Sequence, residues 1–289
     1  YSEMNRLKNI YKVKLKKKLN FNSPTIKTLI DFYFSSRSFI QLFASAKVIV
    51  LCDTQPIWGL FYSTPYIAFE HGTLRDLPFT NSKIGKLLSI AYHKAEKVVI
   101  TNCDNVLAAR KLGLKNYIFI PHPVDTSKFK AKDSSYFKEY RDKNYKLIFA
   151  PARHNWVPSK TKGLSEYKGN DKMVIGFKKL LEKNIKSKLI FCDWGQEQDK
   201  TKQLIKELGI EEHILWIPAA SKAKLVNFYN SCDIVIDQLS IGTFGTTCVE
   251  AMSCGKPVCM YLNESKHFDC FEKLPPVINV KESDQLGDA

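Results

Sequence analysis

Apolar residues in this chain come in short blocks set between longer stretches of mixed character. Blocks at 47–51, 66–69, 97–100, 146–149, 188–191, 213–217, 233–236 and 257–260 are rich in Val, Ile, Leu and Phe. Blocks this short and this uniformly apolar predict parallel strands covered on both faces. Residues 83–96, 171–182, 200–208 and 222–231 instead space their apolar side chains at helical intervals. Strand then helix, repeated, predicts an α/β protein of doubly wound parallel sheets with right-handed crossovers. No internal repeat or low-complexity segment interrupts the pattern. The best boundary falls at residues 121–125, Pro-His-Pro-Val-Asp, where two prolines hold the backbone around His122 extended. We therefore expect one domain over 1–125 and a second over 126–289.

Composition narrows the class only a little. The chain of 289 residues is long enough for two cores of ordinary size. With 44% hydrophobic and 25% charged residues it reads as globular rather than disordered. No apolar run reaches the roughly 18 residues that a membrane-spanning helix needs. Its eight cysteines are scattered without a Cys-x-x-Cys pair. Cys52, Cys192, Cys248 and Cys259 sit in or beside apolar blocks, which suits a reducing, cytoplasmic setting.

Residues 242–258, GTFGTTCVEAMSCGKPV, carry the most chemical information. Gly242 and Gly245 allow the backbone to approach a ligand closely. A helix beginning at about Thr246 would turn its free N–H groups, those of Thr246 and Thr247 among them, and its positive end toward that turn, where an anion is stabilised. Glu250, one turn in, can accept hydrogen bonds from two sugar hydroxyls. A lone Gly-x-x-Gly would carry little weight, because such matches arise often by accident. The full string resembles the donor-site signature of retaining, nucleotide-sugar-dependent glycosyltransferases of family four. In that family a glutamate, Gly-Phe-Gly, and a second glutamate precede Ala-Met-Ala-x-Gly-x-Pro-Val. Phe244, Gly245, Glu250, Ala251, Met252, Gly255, Pro257 and Val258 match it, while Gly242 stands where the first glutamate would be.

The resemblance covers the chain from about residue 46 onward and implies the GT-B fold. That fold is α/β, with two Rossmann-like doubly wound parallel-sheet domains facing a cleft. Nothing before Ala46 reads as the buried strand and glycine-rich loop that open such a chain. Both ends look cut, and the N-terminal domain is expected to be truncated. The acceptor side falls to domain 1–125 and the nucleotide-sugar to domain 126–289.

The ends of the predicted strands then acquire roles. Block 66–69 runs into Glu70-His71-Gly72, and the resemblance implies that His71 faces the donor; Gly72 allows a close ligand approach, and Gly72, Arg75 and Asp76 are read as the acceptor side. Arg75 and Asp76 read equally well as a pair with each other. Block 146–149 runs toward Arg153, and Lys168-Gly169 opens the next helix. These two cations resemble the family's clamp on the diphosphate, whose charge grows as the nucleoside diphosphate departs. Lys160 and Lys162 are the alternatives to Lys168. Asp237, ahead of the glycine run, is expected to touch the donor. Trp216 reads either as a donor contact or as core. Taken with Glu250, the catalytic set is His71, Arg153, Lys168 and Glu250. The donor contacts are Gly242, Phe244, Gly245, Thr246, Thr247, Trp216 and Asp237.

No metal site and no cofactor is expected, since neither an Asp-x-Asp nor a His/Cys cluster of ligand spacing occurs. The net charge of +15 concentrates near the start, where Arg6, Lys8, Lys12, Lys14, Lys16, Lys17 and Lys18 alternate with apolar residues. That segment reads as a peripheral contact with an anionic membrane or as a solvated face. Nucleic acid is disfavoured, because no recognised binding motif accompanies the charge. The expected function is metal-independent, retaining sugar transfer from a nucleoside-diphosphate sugar to an acceptor hydroxyl in surface polysaccharide or glycolipid synthesis. The rivals are a GT-B-fold sugar-nucleotide epimerase and a non-catalytic sugar-nucleotide or membrane-binding module.

Overall fold

A computed structural model describes residues 43–157 and 166–288 of the chain. The basic segment over residues 6–18, Lys160 and Lys162 lie outside the described residues. The chain divides into two compact units. One runs through Thr101 and resumes over Leu107–Ile120; the other takes Asn102–Val106 and everything from Pro121 on.

The first unit holds a parallel sheet of β1 (Ile49–Cys52), β2 (Tyr66–Glu70), β3 (Lys97–Ile100) and β4 (Tyr117–Phe119), in that spatial order. Helix α1 (Lys83–Lys94) crosses from β2 to β3 and α2 (Cys103–Leu112) from β3 to β4. Ser82 caps α1, its hydroxyl accepting from the Gly85 amide at 3.0 Å. The buried Leu88, Ala91 and Tyr92 lie three and four residues apart on one face of that helix. β1 corrects one expectation. It is an edge strand of this sheet with only Leu51 buried, and Val50 is 55% exposed.

The second unit is built on six parallel strands: β5 (Lys146–Ala150), β6 (Ser187–Asp193), β7 (Ile214–Pro218), β8 (Ile234–Ile236), β9 (Val258–Met260) and β10 (Ile278–Asn279). Their spatial order is β10-β9-β8-β5-β6-β7. The connecting helices are α3 (Lys138–Asp142), α4 (Asn170–Glu182), α5 (Gln198–Glu207), α6 (Lys222–Ser231), α7 (Thr246–Ser253), α8 (Glu264–Phe268) and α9 (Ser283–Asp288). Successive side chains of β5 enter opposite cores, Leu147 and Phe149 one and Ile148 and Ala150 the other. A sheet covered on both faces is the physical meaning of the continuous apolar blocks.

Strands β4 and β10 and helix α2 were not legible in the pattern. The two strands span three and two residues at sheet edges, too few to show a period. Helix α2, CDNVLAARKL, mixes polar and apolar residues without a clean stripe.

Candidate active site

The second sheet reverses direction at β5. From β5 the chain winds outward to β6 and β7, then returns through α6 to the other side of β5 as β8. In such sheets a ligand binds outside the carboxyl ends of the strands at the reversal. Here those ends are Ala150, which leads to Arg153, and Ile236, which leads to Asp237 and the glycine run.

The segment after β5 is held on both sides by backbone contacts. The Lys168 amide donates to Asn155 O at 2.7 Å, and Lys168 O accepts from the Leu239 amide at 2.9 Å. Lys168 thereby joins the loop after β5 to the loop after β8. The Asn155 amide donates to Asn170 Oδ1 at 3.2 Å, at the start of α4. Arg153 Nε is buried, with no hydrogen-bond partner among the described residues. A buried guanidinium donor without a partner is poised for an anion.

His154, next to Arg153, is fully buried against Phe191 and Trp216. Its Nδ1 lies 3.1 Å from Thr201 Oγ1. Burial pushes its pKa down to about 4, so the ring is neutral at pH 7. The folded pKa lies below the unfolded value of about 6.5, so the contribution to stability is present above pH 6.5 and lost as pH falls toward 4. We expect a loss of about 2 kcal/mol between pH 7 and pH 5 from this group. Urea denaturation of wild type and His154→Phe at the two pH values will check it, because the variant should lose correspondingly less.

The loop after β8 is organised by Gln238, whose role the sequence did not reveal. Its Nε2 donates to Thr243 O at 2.7 Å and to Tyr261 O at 3.2 Å. Its Oε1 accepts from the Ser240 and Ile241 amides at 2.9 and 2.5 Å. All four of its hydrogen-bonding positions are spent on one turn and its neighbour. Phe244 anchors the same loop, its ring 5.8 Å from His267 and 5.6 Å from Phe271. Helix α7 then begins at Thr246, as expected, with Gly245 at its N-cap; the amides of Gly245 and Cys248 at this start face the Asp237 carboxylate.

Gly242 has φ +80°, and a Cβ there would stand 2.9 Å from Tyr261 Cε1 and 3.0 Å from Asn263 Cβ. This backbone therefore has no room for the family's first glutamate. We expect Gly242→Glu to weaken nucleotide binding and to destabilise the fold by about 1–3 kcal/mol rather than to improve activity. Calorimetric binding with a thermal melt of the same variant will decide, and a tighter-binding variant would refute the argument.

Asp237 is buried at the end of β8, and its Oδ2 has no hydrogen-bond partner among the described residues. Burial raises its pKa, opposed by the Lys168 charge and by the amides of Gln238, Gly245 and Cys248. Glu250 is buried on α7, and both its oxygens are engaged. Lys222 Nζ pairs with Oε1, and Tyr229 OH donates to Oε2 at 3.3 Å. Tyr229 also hydrogen-bonds the Thr247 hydroxyl; burial, and next the Glu250 charge, push its pKa up. Lys222 and Tyr229 lie two turns apart on one face of α6, and neither stood out in the sequence. The Trp216 indole packs on His154 and Phe191 with Lys202 Nζ 5.0 Å over it, so its ring serves the core.

In the first unit, His71 is exposed at the end of β2, its ring 4.9 Å from that of Phe69. The turn that follows depends on Glu70, a fully buried carboxylate not singled out from the sequence. Its Oε1 accepts from the Gly72 amide and its Oε2 from Tyr92 OH at 2.5 Å. Burial raises the Glu70 pKa, while these bonds and the Arg75 charge oppose the rise. Gly72 has φ +124° and precedes the short turn Thr73–Arg75; Asp76 beyond it is exposed. Arg75 thus has a carboxylate neighbour in Glu70 that its sequence position did not disclose. No group of three or more His, Cys, Asp or Glu able to hold a metal ion occurs among the described residues. Nor is any described helix long and apolar enough to cross a membrane.

Two parallel α/β units, with a glycine loop and helix start at the reversal of the second sheet, are the architecture of the GT-B fold. Residues 160–264 match the family of glycosyl transferases group 1, which bears out the resemblance seen in the glycine run. The D-inositol 3-phosphate glycosyltransferase of Mycolicibacterium smegmatis is 37% identical over 62 residues, 22% of this chain and 14% of that protein. The mannosylfructose-phosphate synthase of Agrobacterium fabrum is 22% identical over 190 residues, 58% of this chain and 40% of that protein. The chain thus spans well under half the length of these curated relatives. Among solved structures, Anabaena Alr3699/HepE in complex with UDP and glucose superposes with a TM-score of 0.69 at 17% identity, covering 87% of this chain and 69% of that one. The sucrose-phosphate synthase of Thermosynechococcus elongatus gives 0.68 at 14% identity, with 91% and 68% covered. At these identities the superpositions show the fold.

Proposed function

We propose that this chain moves a sugar from a nucleoside-diphosphate sugar to an acceptor hydroxyl with retention at the anomeric carbon. The observation that carries the reading is the partnerless buried Nε of Arg153, on a loop joined through Lys168 to the glycine turn ahead of α7. A diphosphate at the start of α7 meets the positive end of a helix and these two cations. Glu250 takes ribose hydroxyls. As the bond from the anomeric carbon to the phosphate oxygen breaks, the acceptor oxygen bonds to the same face of that carbon. The acceptor's proton passes to the departing phosphate oxygen. The protein's part is to hold the leaving charge in place, an interaction that strengthens in the transition state. His71, at the end of β2, keeps the role of a sugar contact that the family resemblance gives it.

Calorimetric titration with UDP- and GDP-sugars, followed by NMR of the product's anomeric proton, tests the reading. Binding with transfer and an unchanged anomeric configuration supports it. Epimerisation of the sugar, or binding without turnover in the presence of acceptors, would favour the epimerase or the binding module.

We further propose a lipid-linked or surface-polysaccharide acceptor at the cytoplasmic membrane face, supported by the alternation of cations and apolar residues over 6–18. Replacing Lys14, Lys16, Lys17 and Lys18 with Gln should abolish sedimentation with anionic vesicles and spare transfer to a soluble acceptor. The attraction is Coulombic and screened within about 8 Å at physiological salt. Wild type that ignores anionic vesicles at low salt would end the membrane proposal.

A further inference from the structure

Lys222 stands at the first position of α6, and its ammonium has an unusual place. It pairs with Glu250 Oε1 and lies 3.4 Å from Thr246 Oγ1, over the first turn of α7. The positive end of a helix repels a cation, so this location is unfavourable unless an anion accompanies it. Glu250 supplies that anion here. The two partners are unequally exposed, with the Lys222 side chain at 60% and that of Glu250 at 7%. Lys222 can therefore leave at little cost to itself, its head riding on a flexible four-carbon stem. Glu250 cannot leave, and losing its cation would strand a buried carboxylate on the Tyr229 hydroxyl alone.

Taking as given that the donor binds at α7, we propose that Lys222 is an exchange residue that makes the site select whole nucleoside diphosphates over their parts. It covers Glu250 until ribose hydroxyls take that carboxylate, and then transfers its charge to the phosphate at the start of α7. Each half of the ligand makes the other's place favourable. A nucleoside alone must displace Lys222 and offers the ammonium no anion in return. Pyrophosphate alone can draw Lys222 away only by leaving the Glu250 carboxylate on the Tyr229 hydroxyl alone. A nucleoside diphosphate does both at once.

The test is isothermal titration of the full chain with UDP, uridine and pyrophosphate, and in parallel with GDP and guanosine. Wild type is compared with Lys222→Met, Lys222→Arg and Glu250→Gln. Lys222→Met should bind the diphosphate about tenfold more weakly, the size expected for one partly exposed charged contact. It should bind the nucleoside about threefold more tightly, because Glu250 no longer has to be uncovered. Lys222→Arg should restore diphosphate affinity to within a fewfold of wild type. The loss on removing Lys222 should persist in the Glu250→Gln background, where the ion pair no longer exists. Equal weakening of nucleoside and diphosphate would reduce Lys222 to a structural partner of Glu250 and overturn the exchange, as would unchanged diphosphate affinity. If Lys222→Met fails to fold, Lys222→Arg in the Glu250→Gln background answers the same question, since an exchanging cation should keep the diphosphate affinity of Glu250→Gln alone. Wild type that binds neither diphosphate fails at the donor site itself, an outcome separate from binding that is indifferent to Lys222.

Discussion

Alanine at Arg153 or at Lys168 is expected to lower kcat about a hundredfold while leaving the fold standing, in line with the loss of one preorganised charge partner. Truncating Arg153 breaks no hydrogen bond at Nε, because that buried atom has none among the described residues. Lys168 contributes its backbone to the link between the two loops, through Asn155 O and the Leu239 amide, and alanine keeps both bonds. The side-chain charge does something different. It sits beside buried Asp237, where it opposes the upward push of burial on that carboxyl. Lys168→Ala should therefore also raise the pKa of Asp237, which a carboxyl-resolved NMR titration would see. Steady-state kinetics with circular dichroism of both variants is the deciding measurement. Near-normal turnover in a folded variant would pass the clamp to another cation, with Lys160 and Lys162 the first to try.

Glu250→Ala is expected to weaken binding of the nucleoside-diphosphate donor by about 1.5–3 kcal/mol, the range for hydrogen bonds to a charged group. Glu250 is fixed from two sides, by Lys222 and by Tyr229, whose hydroxyl retains Thr247 when the carboxylate is gone. The helix should therefore persist, and the loss should be one of affinity. Titration of the folded variant with donor checks this directly. Unchanged affinity would remove Glu250 from the site, and with it the ribose contact on which the exchange by Lys222 depends.

The sequence alone determined a good deal. Continuous apolar blocks recorded strands covered on two faces, because a residue buried either way must be apolar. The start of α7 at Thr246 was legible because a glycine turn, a short helix and a following buried strand leave local marks. Arg153, Lys168, Asp237 and Glu250 became candidates through their places near strand ends and in the glycine-run helix together with the resemblance to the family's donor site, both of which depend on neighbours in the chain.

What tertiary structure decided is everything that depends on distant pairs. Gln238 looked like an ordinary polar residue until its amide was seen to bind four backbone groups of the loop it precedes and of Tyr261. Glu70 was passed over beside His71, since only the packing of Tyr92 against β2 shows that its carboxylate is buried. Lys222 and Tyr229 bear on Glu250 from 28 and 21 residues away, through the crossing of α6 and α7. The choice for Trp216 between ligand and core likewise rested on where His154 and Phe191 place their rings. Strand and helix follow from the local period of the chain. A side chain's partner is set by how two elements far apart in sequence pack, and no local pattern encodes that.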